Sequence, residues 1–288
     1  MDKKFTEAEV KSALQELPNG KSHAMDFVPN DFLKKGGDSM VSALTHLFNA
    51  VWEAEEVPES WRNGLIFTIY KDGPESDPAN YRGITILSCI GKLFTKLMTN
   101  RLTAHLESNG HLSEEQGGFR SNRSCADQIQ ILDTMLRRRR NAGQPTYVFF
   151  LDVRKAFDTV WRDGLWARLW DCNVRGKMWR MIRAVYSRVQ SSVIVGDQRT
   201  RWFDVEQGVR QGDCMSPILF AVFIDLLIKE SKRPSWAPCL VTHFATHCFL
   251  QMMSRSWPKA RRTCKLCLML LRATWASGGS RQTSARAK

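Results

Sequence analysis

No carboxylate side chain occurs after Glu230, and that single asymmetry does most to limit what this chain can fold into. All 29 Asp and Glu lie at or before that position, whereas the last 58 residues carry 11 Lys plus Arg. Of the formal charge of +13, the first 230 residues hold +2 and the remainder +11. At ordinary acidic content, an acid-free stretch of this length arises by chance about once in a thousand. A basic tail ordinarily reads as a solvated, polyanion-attracting arm. This one also holds Trp236, Trp257 and Trp275 and four of the eight Cys, without the periodicity of an amphipathic helix or the composition of a linker. The character of the chain changes near residue 230.

The 230 residues before that point have ordinary globular patterning. Hydrophobic and charged contents of 43% and 25% exclude wholesale disorder. No apolar run approaches the roughly 18 residues of a membrane span, and the N-terminus has no apolar signal segment. Eight irregularly spaced Cys in a chain of 288 residues do not make a secreted disulfide scaffold, so an intracellular protein is expected. Thr6 and Glu9 have capping-box spacing and open a predicted helix over 6–17. A second helix is predicted over 39–56, with Val41, Leu44, Leu47, Phe48 and Val51 on one face. Leu65–Tyr70 reads as a strand followed by a turn-rich loop, and 84–106 as a long helix. TYVFFLDV (146–153) reads as a buried strand, followed by helices at 155–170 and 176–188. A hairpin turning at Gly196-Asp197 and an apolar helix from Pro217 complete the body. Strands mixed with helices in this order predict an α+β (mixed) fold.

Asp152 ends the predicted buried strand, and Asp158 follows six residues later. A carboxylate there must be hydrogen-bonded, paired or bound to a cation, so capping a helix near Lys155 and holding a metal are both open. QGVRQGD (207–213) is a Gly-x-x-x-Gly turn through which backbone can approach a ligand closely.

Taken in order, FFLDVRKAFD (149–158) and QGVRQGDCMSPILF (207–220) resemble the reverse transcriptase of non-LTR (LINE-type) retrotransposons. NYRGITILSCIGKLFTKLMTNRL (80–102) and EEQGGFRSNRSCADQI (114–129) are similar to that family's finger motifs. NGKSHAMDFVP (19–29) resembles its leader, with His23-Ala24-Met25 in place of a Pro-Gly-Pro-type turn. The resemblance covers about residues 6–230. It implies a partial right-hand polymerase: fingers over 1–145, an incomplete palm over 146–230, no thumb, and an out-of-frame, poorly ordered tail over 231–288. It also implies that no endonuclease domain precedes the fingers, and it makes a nuclear location plausible.

Carried over by residue, the resemblance makes Asp152 the first catalytic aspartate, holding Mg²⁺ together with the carbonyl of Val153. Phe157 matches the aromatic gate beneath the incoming sugar, and Gln211 and Gly212 the loop against the template–nucleotide pair. Arg120 matches a finger arginine near the triphosphate, and Arg82 one near template or nucleotide; a solvated surface position is the alternative for Arg82 and Lys92. Asp158 is expected to support the helix start rather than bind metal. RNA template, DNA primer and dNTP are the implied partners, with no membrane.

Nucleotidyl transfer by two metals about 3.5–4 Å apart needs more than one carboxylate. The family supplies the others from an aromatic-Ala-Asp-Asp hairpin, expected here near residue 250, yet no Asp follows Asp225. The genetic code offers an account. Residues 248–253 can be encoded TGY TTY TTG CAG ATG ATG; read from each third base, this gives Leu/Phe-Leu/Phe-Ala-Asp-Asp. A frameshift between about Asp225 and Trp236 then explains the acid-free, Trp- and Cys-rich tail, and other codons at Leu250 and Gln251 would sink it. The rival is zinc bound by Cys239, His243, His247, Cys248, Cys264 and Cys267; with one Cys-x-x-Cys and otherwise unmatched spacings, zinc is disfavoured. The expected activity of this chain is therefore none. The alternatives are an active polymerase and a basic nucleic-acid-binding remnant.

Overall fold

A computed structural model describes residues 1–151, 153, 155–231, 241–245 and 248–253. The chain divides into two compact units, Met1–His111 with Lys155–Val222, and Leu112–Arg154 with Phe223–Lys288. Each unit is assembled from two separate segments of the chain.

The first unit begins with α1 (Glu7–Glu16), closed at its N-terminus by the expected capping box between Thr6 and Glu9. After the short α2 (Asn30–Lys35), α3 (Gly37–Ala54) buries Val41, Leu44, Phe48, Val51 and Trp52. Leu47, expected on that face, is 40% exposed, since it lies beside the buried arc rather than within it. The single turn α4 (Glu59–Arg62) leads into β1 (Gly64–Tyr70) and β2 (Tyr81–Ile86). The helix predicted from residue 84 is thus a strand at first. Ile84-Thr85-Ile86 is β-branched and pairs antiparallel with Phe67, Ile66 and Leu65. Ser88 accepts the Gly91 N–H and starts α5 (Cys89–Ser108) only there. Phe5, Phe48, Trp52, Trp61 and Phe94 of these elements form one aromatic core, with centroids 5.0 Å apart for Phe5–Trp52 and 5.5 Å for Trp61–Phe94.

Arg101 of α5 staples the N-terminal residues to this core. Its guanidinium binds Glu9 at 2.8 and 2.9 Å, takes the Met1 and Lys4 carbonyls, and lies 4.2 Å over Phe5. The ion pair holds the half-exposed Glu9 carboxyl below its ordinary range.

In the second unit, α6 (Cys125–Asn141) is opened by a capping box between Ser124 and Asp127, which the sequence reading did not identify. β3 (Tyr147–Leu151) falls where predicted, but Phe150 is 59% exposed, so the strand is not buried on both faces.

Back in the first unit, α7 (Arg162–Asp171) and α8 (Gly176–Val185) pack Leu165, Leu169, Met178, Met181 and Ile182 inward. The expected start of α7 at 155 is wrong by seven residues. Lys155 sits at φ +53°, and the carbonyls of Phe157 and Val160 accept from Val209 and Gly208 instead of closing helical turns. β4 (Gln190–Val195), β5 (Gln198–Arg199) and β6 (Phe203–Asp204) follow. The sheet has the order β2-β1-β4-β5, with β6 also on β4 and β1 parallel to β4. The boundary between the units falls within α9 (Ser216–Ser231).

β7 (Val241–Ala245) and β8 (Cys248–Met253) extend β3 into a second sheet, β3-β8-β7. A hairpin absent by its side chains is therefore present in backbone, with Phe249 opposite Leu151 and Leu250 opposite Phe150. Ladder pairing uses peptide groups and does not depend on which side chains the strand carries. Among the described residues no helix is long and apolar enough to cross a membrane.

Candidate functional site

The loop Gln207–Asp213 organises the first unit's share of the predicted site. Gly208 has φ +83°, and a Cβ there would stand 2.7 Å from the Asp158 carbonyl oxygen. Its N–H donates to Val160 at 2.9 Å, and the next N–H, of Val209, donates to Phe157 at 2.8 Å. Two ladder-like bonds thus fix the turn carrying Phe157, whose ring packs against Phe220 with centroids 5.4 Å apart. Three residues after Gly208, the Gln211 carbonyl accepts the Thr85 N–H at 2.8 Å on the free edge of β2. Gly212, at φ +126°, brings its backbone so close that a Cβ would lie 2.3 Å from the Thr85 carbonyl oxygen. Neither conformation nor space admits a side chain. Gly212→Ala is expected to cost about 2–3 kcal/mol, read as a lower urea midpoint, and an unchanged midpoint would contradict this packing.

One loop therefore ties Phe157, Gln211 and Gly212 to the strand bearing Arg82. Arg82 is exposed, opposite Ile69 in register, and has no hydrogen-bond or ion-pair partner among the described residues.

The loop itself is held from beneath by charge. The Arg210 and Asp213 side chains are 5% and 1% exposed and pair at 3.0 Å. Arg210 also donates to the Trp61 carbonyl at 2.9 Å, while Asp213 accepts from Thr95 Oγ1 at 2.7 Å. Arg162 donates to the carbonyls of Gly208 and Tyr186 at 2.9 and 3.0 Å. Tyr186 lies between the two guanidiniums, 5.3 Å from Arg162 and 5.4 Å from Arg210, with its hydroxyl 3.2 Å from Ser216 Oγ. Burial, and next the Asp213 charge, push the Tyr186 phenol up to about 12, so it stays neutral. Cys214 is likewise pushed up to about 11 by burial, which makes it an inert thiol. Sequence reasoning missed Arg162, Tyr186 and Thr95. Only the Arg210-x-x-Asp213 spacing carried a local signal.

In the second unit, Val153 is half-buried just beyond β3, and Asp152 lies outside the described residues. With no helix at 155–161, the helix-capping reading of Asp152 loses its helix, as does the support expected from Asp158, which is exposed on a turn. Arg120 is 7% exposed in its side chain and donates to the carbonyls of Ser113 and Gln116 at 2.9 and 3.4 Å. It thereby closes its own loop. Asp225 has a fully buried side chain that accepts the Ser113 N–H at 2.7 Å and pairs with Lys229 at 2.9 Å. Among the described residues no group of three His, Cys, Asp or Glu could hold a metal ion. The side chains named as zinc ligands, and the remainder of the tail, lie outside the described residues.

A family model described as reverse transcriptase (RNA-dependent DNA polymerase) matches residues 69–249. The chain is 28% identical over 228 residues to a protein of Drosophila melanogaster named "Probable RNA-directed DNA polymerase from transposon X-element", covering 76% of this chain and 24% of that one. It is 26% identical over 220 residues to the RNA-directed DNA polymerase from mobile element jockey of the same species, covering 75% and 24%. The chain thus spans about a quarter of the length of these relatives. Among solved structures, telomerase from Candida tropicalis with a TWJ fragment of telomeric RNA superposes with a TM-score of 0.55 at 14% identity. That match covers 80% of this chain and 42% of the telomerase, and it speaks for the fold alone.

Proposed function

This chain belongs to the reverse transcriptase (RNA-dependent DNA polymerase) family, and from that premise we propose that it is the fingers and part of the palm of a non-LTR retrotransposon polymerase, unable to catalyse nucleotidyl transfer as written. One observation carries the second half of this reading. Beyond the Gln211-Gly212 pair the only aspartates are Asp213 and Asp225, and both are buried in structural ion pairs. Neither is available to join Asp152 in holding divalent metal. The family's Mg²⁺ centre therefore does not fit the residues present, and no reaction step is derived through it.

The remaining parts suit binding without turnover. Arg82 is an exposed, unengaged guanidinium suited to phosphate oxygens on template or nucleotide. Phe157 has the position-holding that an aromatic gate beneath a dNTP sugar requires, and the Gly212 turn keeps Gln211 against β2. Arg120 remains the second finger cation of the resemblance, with its present bonds to Ser113 and Gln116 to be exchanged on contact with a triphosphate. The frameshift before Trp236 accounts for the lost carboxylates, either in a decayed copy or through an error in the gene sequence.

The test is a fluorescent RNA–DNA template–primer incubated with the full chain, Mg²⁺ and dNTPs. Binding with no added nucleotide is expected. Primer extension by this chain would overturn the inactive reading, and absence of binding would overturn the retained-contact reading.

A further inference from the structure

The α7–α8 pair carries a row of guanidinium and indole groups that no part of the proposed site uses. Arg175 lies 4.9 Å over the ring of Trp170, Trp170 meets Trp179 edge-on at 5.5 Å, and Arg183 lies 4.5 Å over Trp179. The order in space is thus Arg175, Trp170, Trp179, Arg183. Trp170 is 44% exposed, an unusual loss of burial for the largest apolar side chain. Arg175 and Arg183 are exposed and have no carboxylate partner among the described residues. Nearby cations are differently placed: Arg180 is bound by Glu55 at 2.5 and 2.6 Å, and Arg168 stands 3.7 Å from Asp171. Trp179 is anchored, its indole N–H donating to the Trp166 carbonyl at 3.1 Å.

We infer that this row is a docking surface for single-stranded RNA, separate from the polymerase site and independent of the function proposed for that site. Flat π faces that are held rigid offer stacking platforms to any base. Guanidiniums lying over those rings keep their edge N–H donors free for the phosphates between stacked bases. The two unneutralised charges complement a polyanion, and the partly exposed Trp170 ring beside them offers a base an aromatic surface. An acidic protein surface would satisfy the arginines but leave the edge-on tryptophans without planar partners, so the observations favour the nucleic acid.

The experiment uses the full chain and an oligo(U) RNA of about 15 nucleotides, fluorescein-labelled for anisotropy and carrying 4-thiouridine for photo-crosslinking. Crosslinks are expected on the peptides containing Trp170 and Trp179. Trp170→Ala with Arg183→Ala should abolish those crosslinks and lower affinity about tenfold, while crosslinks elsewhere persist. Arg175→Gln with Arg183→Gln alters two exposed positions only, so it keeps the proposal testable if the tryptophan variant does not fold. It should flatten the salt dependence of log affinity by about 1.4, as for two lost phosphate contacts on a single strand. Unchanged affinity and no crosslink in 167–183 would overturn the assignment. So would displacement by polyglutamate of a patch that never crosslinks to RNA.

Discussion

A chain in which the reading frame is restored between residues 225 and 236 extends a DNA primer on an RNA template, whereas the chain as written gives no product above background. The restored frame would place Ala-Asp-Asp at the positions of Leu250 to Met253. The backbone there runs antiparallel to β3, with Phe249 opposite Leu151, the residue immediately before Asp152. In that register Leu250 to Met253 lie opposite Phe150 to Tyr147, so the restored carboxylates would fall on the strand paired with the one that leads into Asp152 and would supply the further ligands a paired-metal centre needs. Metal ions contribute several kcal/mol of charge stabilisation, and each 1.36 kcal/mol is about tenfold in rate, so the contrast should be roughly a thousandfold or more. The comparison requires the repaired sequence to come from the locus rather than from codons chosen to suit. If the genomic codons at Leu250 and Gln251 yield no Asp in any frame, the frameshift account fails before the assay begins.

Breaking the Arg210–Asp213 pair has the largest expected effect on stability. Asp213→Ala leaves a guanidinium 5% exposed, with its carboxylate gone and Thr95 deprived of its acceptor. Removal of one partner from a buried pair costs about 3–5 kcal/mol, because the surviving charge stays desolvated. A loss of that size is a large share of the roughly 5–15 kcal/mol that holds a folded domain together. Replacing both partners by apolar residues, Arg210→Met with Asp213→Leu, should cost much less, since no isolated charge remains. Part of the cost persists in the double variant, as Arg210 also holds the Trp61 carbonyl. Urea unfolding of Arg210→Met, Asp213→Leu and the double variant measures the coupling. A single-variant loss below about 1 kcal/mol would show that the pair is not buried as described.

Much of the local structure was legible because its causes are local. The Thr6–Glu9 capping box, the β-branched and aromatic run before Asp152, the Gly196-Asp197 turn and the apolar start of α9 are short-range signals, and each element formed where they lie. The misread segments are those whose partners are distant. Ile84-Thr85-Ile86 fits helix or strand equally by its apolar content, and pairing with β1 decided the matter. Residues 155–161 continue a helical pattern on paper, yet the Phe157 and Val160 carbonyls are taken by Val209 and Gly208 some fifty residues away.

The same division runs through the site. The ordered motifs and the absence of acid after Glu230 were enough to identify the family and to show that carboxylates are missing, since residue identity is all those statements need. Only the tertiary structure decided that Gly212 lies against Thr85, that Arg120 closes its own loop, and that Asp213 and Asp225 are consumed in buried pairs. It also placed a strand beside β3 at residues that carry no carboxylate. The reason is physical: a charge's role depends on what else is buried with it, and a strand's existence depends on a neighbour with free peptide groups. Neither is encoded by spacing along the chain.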